Sequence, residues 1–167
     1  MLCKYGLITQ VGNILLLFTT HGQPSLKGVY LPGVYPAGSD DLPSRNLPWP
    51  ELQLKLKKYF SGYPAVLNCN LELSGYSAFA REVLQSVKKV PYGHLVRYKD
   101  LAVAVGKPGA ARAIGRVLAA NQHLIVIPCH RVLKSDGGLG GFRAGAAWKQ
   151  YMLELEKNGR ERIDALS

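Results

Sequence analysis

The stretch YKDLAVAVGKPGAARAIGRVLAAN, residues 98–121, decides how the fold is read. Residues 99–105 have helical spacing, Gly106-Lys107-Pro108-Gly109 interrupts it, and residues 110–120 resume it. In the second segment Ile114, Val117, Leu118 and Asn121 recur at i, i+3, i+4 and i+7 and are expected to face inward. The opposite face then carries Arg112, Gly115, Arg116 and Ala119. Small residues there let the helix axis come close to another surface, and arginines meet phosphates or enter a base stack. The pattern predicts a DNA-binding helix-turn-helix; a solvated helical hairpin has the same spacing.

Upstream, Ser77 is expected to cap a helix in which Ala80, Val83, Leu84 and Val87 face inward and Pro91-Tyr92-Gly93 ends the element. The domain boundary is placed near residue 75, dividing 1–74 from 75–167. The first domain opens with residues 4–8 and 14–18 on either side of Val11-Gly12-Asn13, a β-hairpin pattern. A short strand follows at 26–31, then an irregular connection: six of the ten prolines fall between Pro24 and Pro50. A helix is predicted for 50–60 and a further strand around Cys69, whose side chain reads as a small buried hydrophobe. The fold class is therefore α+β: a sheet-and-helix scaffold followed by a mostly helical domain.

The 167 residues are enough for one domain or two small ones, and 47% apolar with 19% charged residues describes an ordered chain. The longest apolar run, 14–18, is far too short to span a bilayer, and a soluble intracellular protein is expected. Charge is uneven: residues 1–73 hold 6 Lys/Arg against 4 Asp/Glu, and residues 74–167 hold 15 against 7. A polyanion partner for the second domain follows, with DNA or RNA the first candidate. Three separated cysteines, Cys3, Cys69 and Cys129, form no CxxC pair.

Cys129 stands apart from the other two. In LIVIPCHRV, residues 124–132, an apolar strand is expected to end at Pro128, which lacks an amide hydrogen, and so to leave the sulfur at an element end. His130 is the natural base for such a thiol. Adjacent residues in an extended segment point apart, so a turn or a bridging water must close the gap between them. The last helix, expected from 146 to a stop at Asn158-Gly159, carries Lys149, Met152, Leu153 and Glu156 on one stripe. A carboxylate there can orient His130 as the third member of a triad does, although an isolated glutamate is ordinarily a solvated one.

Several separated motifs, in order, together resemble one family. IPCHRV, the glycine-rich loop from Gly137 to Gly145 and the WKxxxLxxE helix, preceded by VPYGHLVRYKDLA and GAARAIGRVLAANQ, are similar to the O6-alkylguanine-DNA alkyltransferases, also called methylated-DNA–protein-cysteine methyltransferases. The resemblance covers roughly residues 77–158. Residues 1–73 match only in general character, by analogy with that family's ribonuclease-H-like N-terminal domain.

The resemblance implies that Cys129 accepts the alkyl group, with His130 as its base through a water and Glu156 holding the histidine. Asn121 would hydrogen-bond in the turn framing the site, and Tyr98 would donate to the guanine ring as it leaves. Arg112 would enter the base stack, with Ala110, Ala111, Gly115 and Arg116 along the DNA and Pro128, Lys149, Arg143 and Gly140 about the pocket. Arg143 stands where some relatives carry a small polar residue, and would narrow the pocket or contact phosphate. The implied partner is double-stranded DNA containing O6-alkylguanine, met by a monomer without cofactor or membrane, in the cytoplasm or in a nucleus. Some relatives hold a structural zinc, but Cys3, His21 and Cys69 are unsuitably spaced and no metal is expected.

Three other readings share these residues. One is a non-catalytic lesion-binding protein of the same fold, which the acceptor cysteine argues against. Another is a cysteine hydrolase built on Cys129, His130 and Glu156, which would need an oxyanion hole. The third is a transcriptional regulator using the helix-turn-helix alone.

Overall fold

Where alternating and continuous apolar runs flank a turn, a hairpin forms: β1 (Leu2–Thr9) pairs antiparallel with β2 (Gly12–Thr19), and β3 (Ser25–Tyr30) adds antiparallel to the far side of β2. Residues 14–18 of β2 are all buried, as a continuous apolar run in a central strand requires. The helix α1 (Pro50–Phe60) begins with its proline in the first turn, Glu51 near its N-terminus and Lys57 and Lys58 in its last turn, each on the side its dipole favours. It buries Leu52, Leu56, Tyr59 and Phe60.

This computed structural model describes residues 1–166. Among them stand five α-helices and two small sheets, a mixed α/β architecture. The chain divides into two units, one comprising Met1–Leu73 with Gln122–Val126, the other Ser74–Asn121 with the chain from Ile127 onward. No helix among the described residues is long and apolar enough to cross a membrane.

The strand expected around Cys69 does not form. Only Leu71 bridges to Leu26, with Leu26 N donating to Asn70 O at 2.7 Å and Glu72 N to Leu26 O at 2.8 Å, and Cys69 is half-buried rather than in the core. Alternation needs one buried face, which Leu67 supplies, whereas a ladder also needs a partner edge. Further along, β3 meets residues 122–123 instead, through Val29 N to Gln122 O at 2.8 Å.

In the second unit α2 (Ala78–Lys88) is capped by Ser77, whose hydroxyl accepts from Ala80 N at 3.2 Å, and it buries Ala80, Val83, Leu84 and Val87. A two-residue strand, β4 (Val96–Arg97), leads into α3 (Tyr98–Ala104). Residues 105–110 then turn the chain, with Gly106 at φ 66° and Gly109 at φ 93°, into α4 (Ala111–Ala119). Ile114 and Leu118 of α4 are buried, Val117 is half-buried, and Arg112, Arg116 and Ala119 are exposed. β5 (Val132–Leu133) pairs parallel with β4.

The last helix, α5 (Ala146–Asp164), runs through the expected stop at Asn158-Gly159. Gly159 is buried and continues the stripe of Lys149, Met152 and Glu156. A mid-helix glycine costs only about 1 kcal/mol, less than a packed face contributes, so the stripe rather than the glycine decides where the helix ends.

Candidate active site

Two tight turns, not a strand, deliver the cysteine. Ile125 has φ 72° and Val126 N donates to Leu124 O at 2.8 Å, the γ-turn form that L-residues rarely adopt. Pro128 at φ −79°, ψ 60° centres an inverse γ-turn, closed by Cys129 N to Ile127 O at 2.8 Å. This corrects the strand expected for 124–127. A β-branched apolar run suits a strand, but here each residue buries its side chain on a bent path, and Leu124 and Ile127 make isolated bridges on either side of the turn at 125–126. Residues Cys129–Arg131 then form a single 3-10 turn, so His130 and Arg131 both reach α5. That turn answers how neighbours in sequence can serve one site.

Cys129 is only 2% exposed. Asn121 Nδ2 donates both to its Sγ and to Ile127 O, each at 3.2 Å, so one amide holds the sulfur and the turn before it. Burial pushes the thiol up to about 11, against the opposing pull of Asn121, the Lys149 charge and the backbone N–H groups of Cys129 and His130. The resting side chain is therefore a thiol, and a base must take its proton before it can attack.

The imidazole of His130 is oriented from α5. His130 is fully buried and its Nε2 lies 2.7 Å from Glu156 Oε1. Burial holds the imidazole below its usual range in spite of the opposing carboxylate. For Glu156 burial works upward, but hydrogen bonds and charge from His130 and Arg131 prevail and hold it at about 2. The pair is thus neutral imidazole and carboxylate, in which Nε2–H donates to Glu156 and Nδ1 carries the lone pair. Arg131 completes Glu156: Nε donates to Oε1 and Oε2 at 3.1 and 2.9 Å, Nη2 to Oε1 at 2.8 Å, while Gly93 N donates to Oε2 at 2.8 Å.

Lys149, also fully buried, donates from Nζ to Val132 O at 2.6 Å and to Leu139 O. Burial lowers it to about 8, partly offset by Cys129. Its ammonium stands 5.9 Å from the Tyr98 ring centroid, and the Tyr98 hydroxyl donates to Gly141 O at 3.5 Å. Desolvation, with a smaller contribution from Cys129, raises the phenol, which keeps it a proton donor at neutral pH. A groove of about 450 Å³ opens beside these groups, between Tyr98 and Gly140 on one side and Arg112, Gly115 and Arg116 on the other.

The sequence-derived candidates thus fall into two groups within the second unit. Cys129, Asn121, His130, Glu156, Pro128 and Lys149 form the buried cluster; Tyr98, Gly140, Ala111, Arg112, Gly115 and Arg116 line the groove. Ala110 precedes α4 at its N-terminal end and Arg143 is exposed; neither lines the groove. Two further groups join the cluster through Glu156 and are not marked by the sequence pattern. Arg131 follows His130 in the motif and pairs with Glu156, an inward-facing glutamate that calls for a buried cation. Gly93 has the sequence signature of a helix stop alone, yet its amide donates to Glu156. Among the described residues no three His, Cys, Asp or Glu side chains gather as a metal site.

A family model described as the DNA binding domain of 6-O-methylguanine DNA methyltransferase matches residues 78–158. A methylated-DNA–protein-cysteine methyltransferase of Salmonella typhimurium is 41% identical over 102 residues, 61% of this chain; the chain spans 60% of that relative's length. One from Methanopyrus kandleri is 42% identical over 105 residues, covering 63% of this chain and 78% of its own. Among solved structures, the O6-methylguanine methyltransferase of Mycobacterium tuberculosis gives a TM-score of 0.81 at 29% identity, covering 95% of this chain and 94% of that one. The M. tuberculosis OGT in complex with DNA gives 0.75 at 28% identity, covering 95% and 93%.

Proposed function

Given that the chain belongs to the methylated-DNA–protein-cysteine methyltransferase family, we propose that it repairs DNA by direct reversal, moving an alkyl group from guanine O6 to Cys129 once per molecule. The observation that carries this reading is the buried thiol: Asn121 holds the sulfur of Cys129, and the adjacent imidazole is oriented by a carboxylate. His130 takes the thiol proton through Nδ1, by way of a water. The thiolate attacks the alkyl carbon in line, the carbon–O6 bond breaks, and its electron pair leaves on guanine while Tyr98 donates a proton to the ring. The thioether has no leaving path, so no second turnover follows.

The target carbon is unreachable inside a duplex, so the nucleotide must flip out at a cost of a few kcal/mol. In this reading α3 and α4 act as a helix-turn-helix, α4 lies on double-stranded DNA through Ala110, Ala111, Gly115 and Arg116, and Arg112 fills the vacated stack. The exposure of Arg112, Arg116 and Ala119 on one side of α4 supports it. Gly140 lies beside the Tyr98 hydroxyl at the pocket rim, and exposed Arg143 is assigned to backbone phosphate rather than to the pocket. Three antiparallel strands followed by a helix support a ribonuclease-H-like reading of residues 1–74 as scaffold, with residues 75–167 as the domain that binds DNA and accepts the alkyl group. The protein acts as a monomer, without cofactor.

Intact-protein mass after incubation with a duplex bearing one O6-methylguanine tests the proposal. One methyl gained per molecule, on Cys129 and absent in Cys129→Ser, is the expected result. Unchanged mass with lesion-selective binding would make this a recognition protein; repeated turnover would make it a hydrolase.

A further inference from the structure

The groups around His130 include one that the alkyl-transfer chemistry above does not use. Arg131 is 7% exposed, and three of its contacts converge on Glu156, itself 2% exposed. Its remaining terminal nitrogen, Nη1, donates to Val90 O at 2.5 Å, and its guanidinium lies 5.8 Å from the Tyr92 ring centroid. The connection between α2 and β4 thus clamps the arginine by Val90 and Tyr92, and Glu156 by Gly93 N. A fork fixed this firmly presents its charge to the carboxylate that touches His130.

We propose that Arg131 is a positioning residue for alkyl transfer: by keeping Glu156 ionised and compensated, it forces the His130 proton onto Nε2, so that the lone pair on Nδ1 receives the thiol proton. The proposal rests on the alkyltransferase reading above for its consequence, but not for its geometry. His130 faces Glu156 and Lys149 from α5, Arg131 and Cys129 in its own turn, and Phe142 edge-on at 6.4 Å; Tyr92 acts on the same group through Glu156 and Arg131. Arg131 and Lys149 are the two cations in that set, and both oppose a charged imidazole.

Removing the guanidinium leaves two destinations for a proton, and both disarm the base. If Glu156, buried without a cation, takes one, its hydroxyl donates to Nε2 and the histidine's own proton moves to Nδ1. If His130 takes it, the imidazolium carries protons on both nitrogens. Either way Nδ1 no longer accepts. A merely structural arginine would instead lower activity equally at every pH.

The test pairs two readouts on full-length protein. Nitrogen-15 shifts of the His130 ring, recorded without DNA, report which nitrogen is protonated as pH changes; single-turnover methyl transfer from an O6-methylguanine duplex reports the rate. At pH 7 the unmodified protein should show Nε2–H alone. Arg131→Gln should show Nδ1 protonated, losing that proton about one to two pH units higher, with transfer roughly tenfold slower at pH 7 and the deficit closing as pH rises. Arg131→Lys keeps the charge and should keep the Nε2–H form and the acid limb of the rate profile.

An Nδ1 unprotonated in Arg131→Gln, or a deficit independent of pH, would overturn the proposal. Should Arg131→Gln fail to fold, Arg131→Lys decides alone: an acid limb displaced although the charge is retained refutes charge control, and an unmoved limb supports it. If the unmodified protein gains no methyl, the alkyltransferase reading fails by itself, while the ring shifts still decide what Arg131 does to His130.

Discussion

Replacing Glu156 by glutamine should cost more stability than any other single change at the site. The carboxyl is held at about 2 against an ordinary value of 4.5, a separation of 2.5, which at roughly 1.4 kcal/mol per pH unit is about 3–4 kcal/mol of folding free energy. That agrees with the roughly 3–5 kcal/mol expected when a buried pair loses one partner, here leaving the Arg131 guanidinium uncompensated. The sign follows from the depression: the contribution is complete above 4.5 and is lost as pH falls from there through about 2.

With a urea slope of ~2 kcal/mol/M for a chain of this size, the midpoint of Glu156→Gln at pH 7 should fall by about 1.5 M. Trp148 stands in α5 and reports the second unit once Trp49 is changed to phenylalanine in both proteins. The difference between the two proteins should shrink below pH 4.5. A pH 7 midpoint within about 0.3 M of the parent, or a difference that persists unchanged near pH 2, would refute the account of Glu156 as a carboxylate stabilised by His130 and Arg131.

Other outcomes follow from the same contacts. A Cβ at Gly140 would lie 2.7 Å from the Tyr98 hydroxyl at φ 68°, so Gly140→Ala should slow methyl transfer at least tenfold while leaving affinity for undamaged DNA unchanged. Lys149→Met removes a charge that favours the thiolate and leaves Val132 O and Leu139 O without their donor; the pH at which Cys129 reacts with iodoacetamide should rise. Arg116→Ala should weaken DNA binding at low salt and reduce the slope of log affinity against log salt by about 1, measured by fluorescence anisotropy. Asn121→Ala deprives the sulfur of a hydrogen bond to its charged form, worth roughly 1.5–3 kcal/mol, and should slow transfer by about ten- to a hundredfold with little change in DNA affinity.

Periodicity and caps were legible because they are local. Ser77 before Ala80 and Val83, and Ile114 with Leu118, are decided by spacing of a few residues, and the helices they predict are present. Cys129, His130 and Glu156 were legible as candidates through the resemblance, since each belongs to a short motif. Their arrangement was not. Residues 124–127 have the composition of a strand, and nothing in an apolar run announces two γ-turns.

What the sequence by itself determined in the second unit is where α2, α3 and α4 form and the basic face of α4, all of which depend on neighbours a few positions apart. Tertiary structure alone decided that α5 passes Gly159, that Glu156 is buried, and that Arg131 and Gly93 N meet it from separate segments. The physical reason is range. Backbone preference is set within a turn of chain, whereas the protonation of a buried carboxylate depends on the charges and donors that packing brings beside it from 25 and 63 residues away.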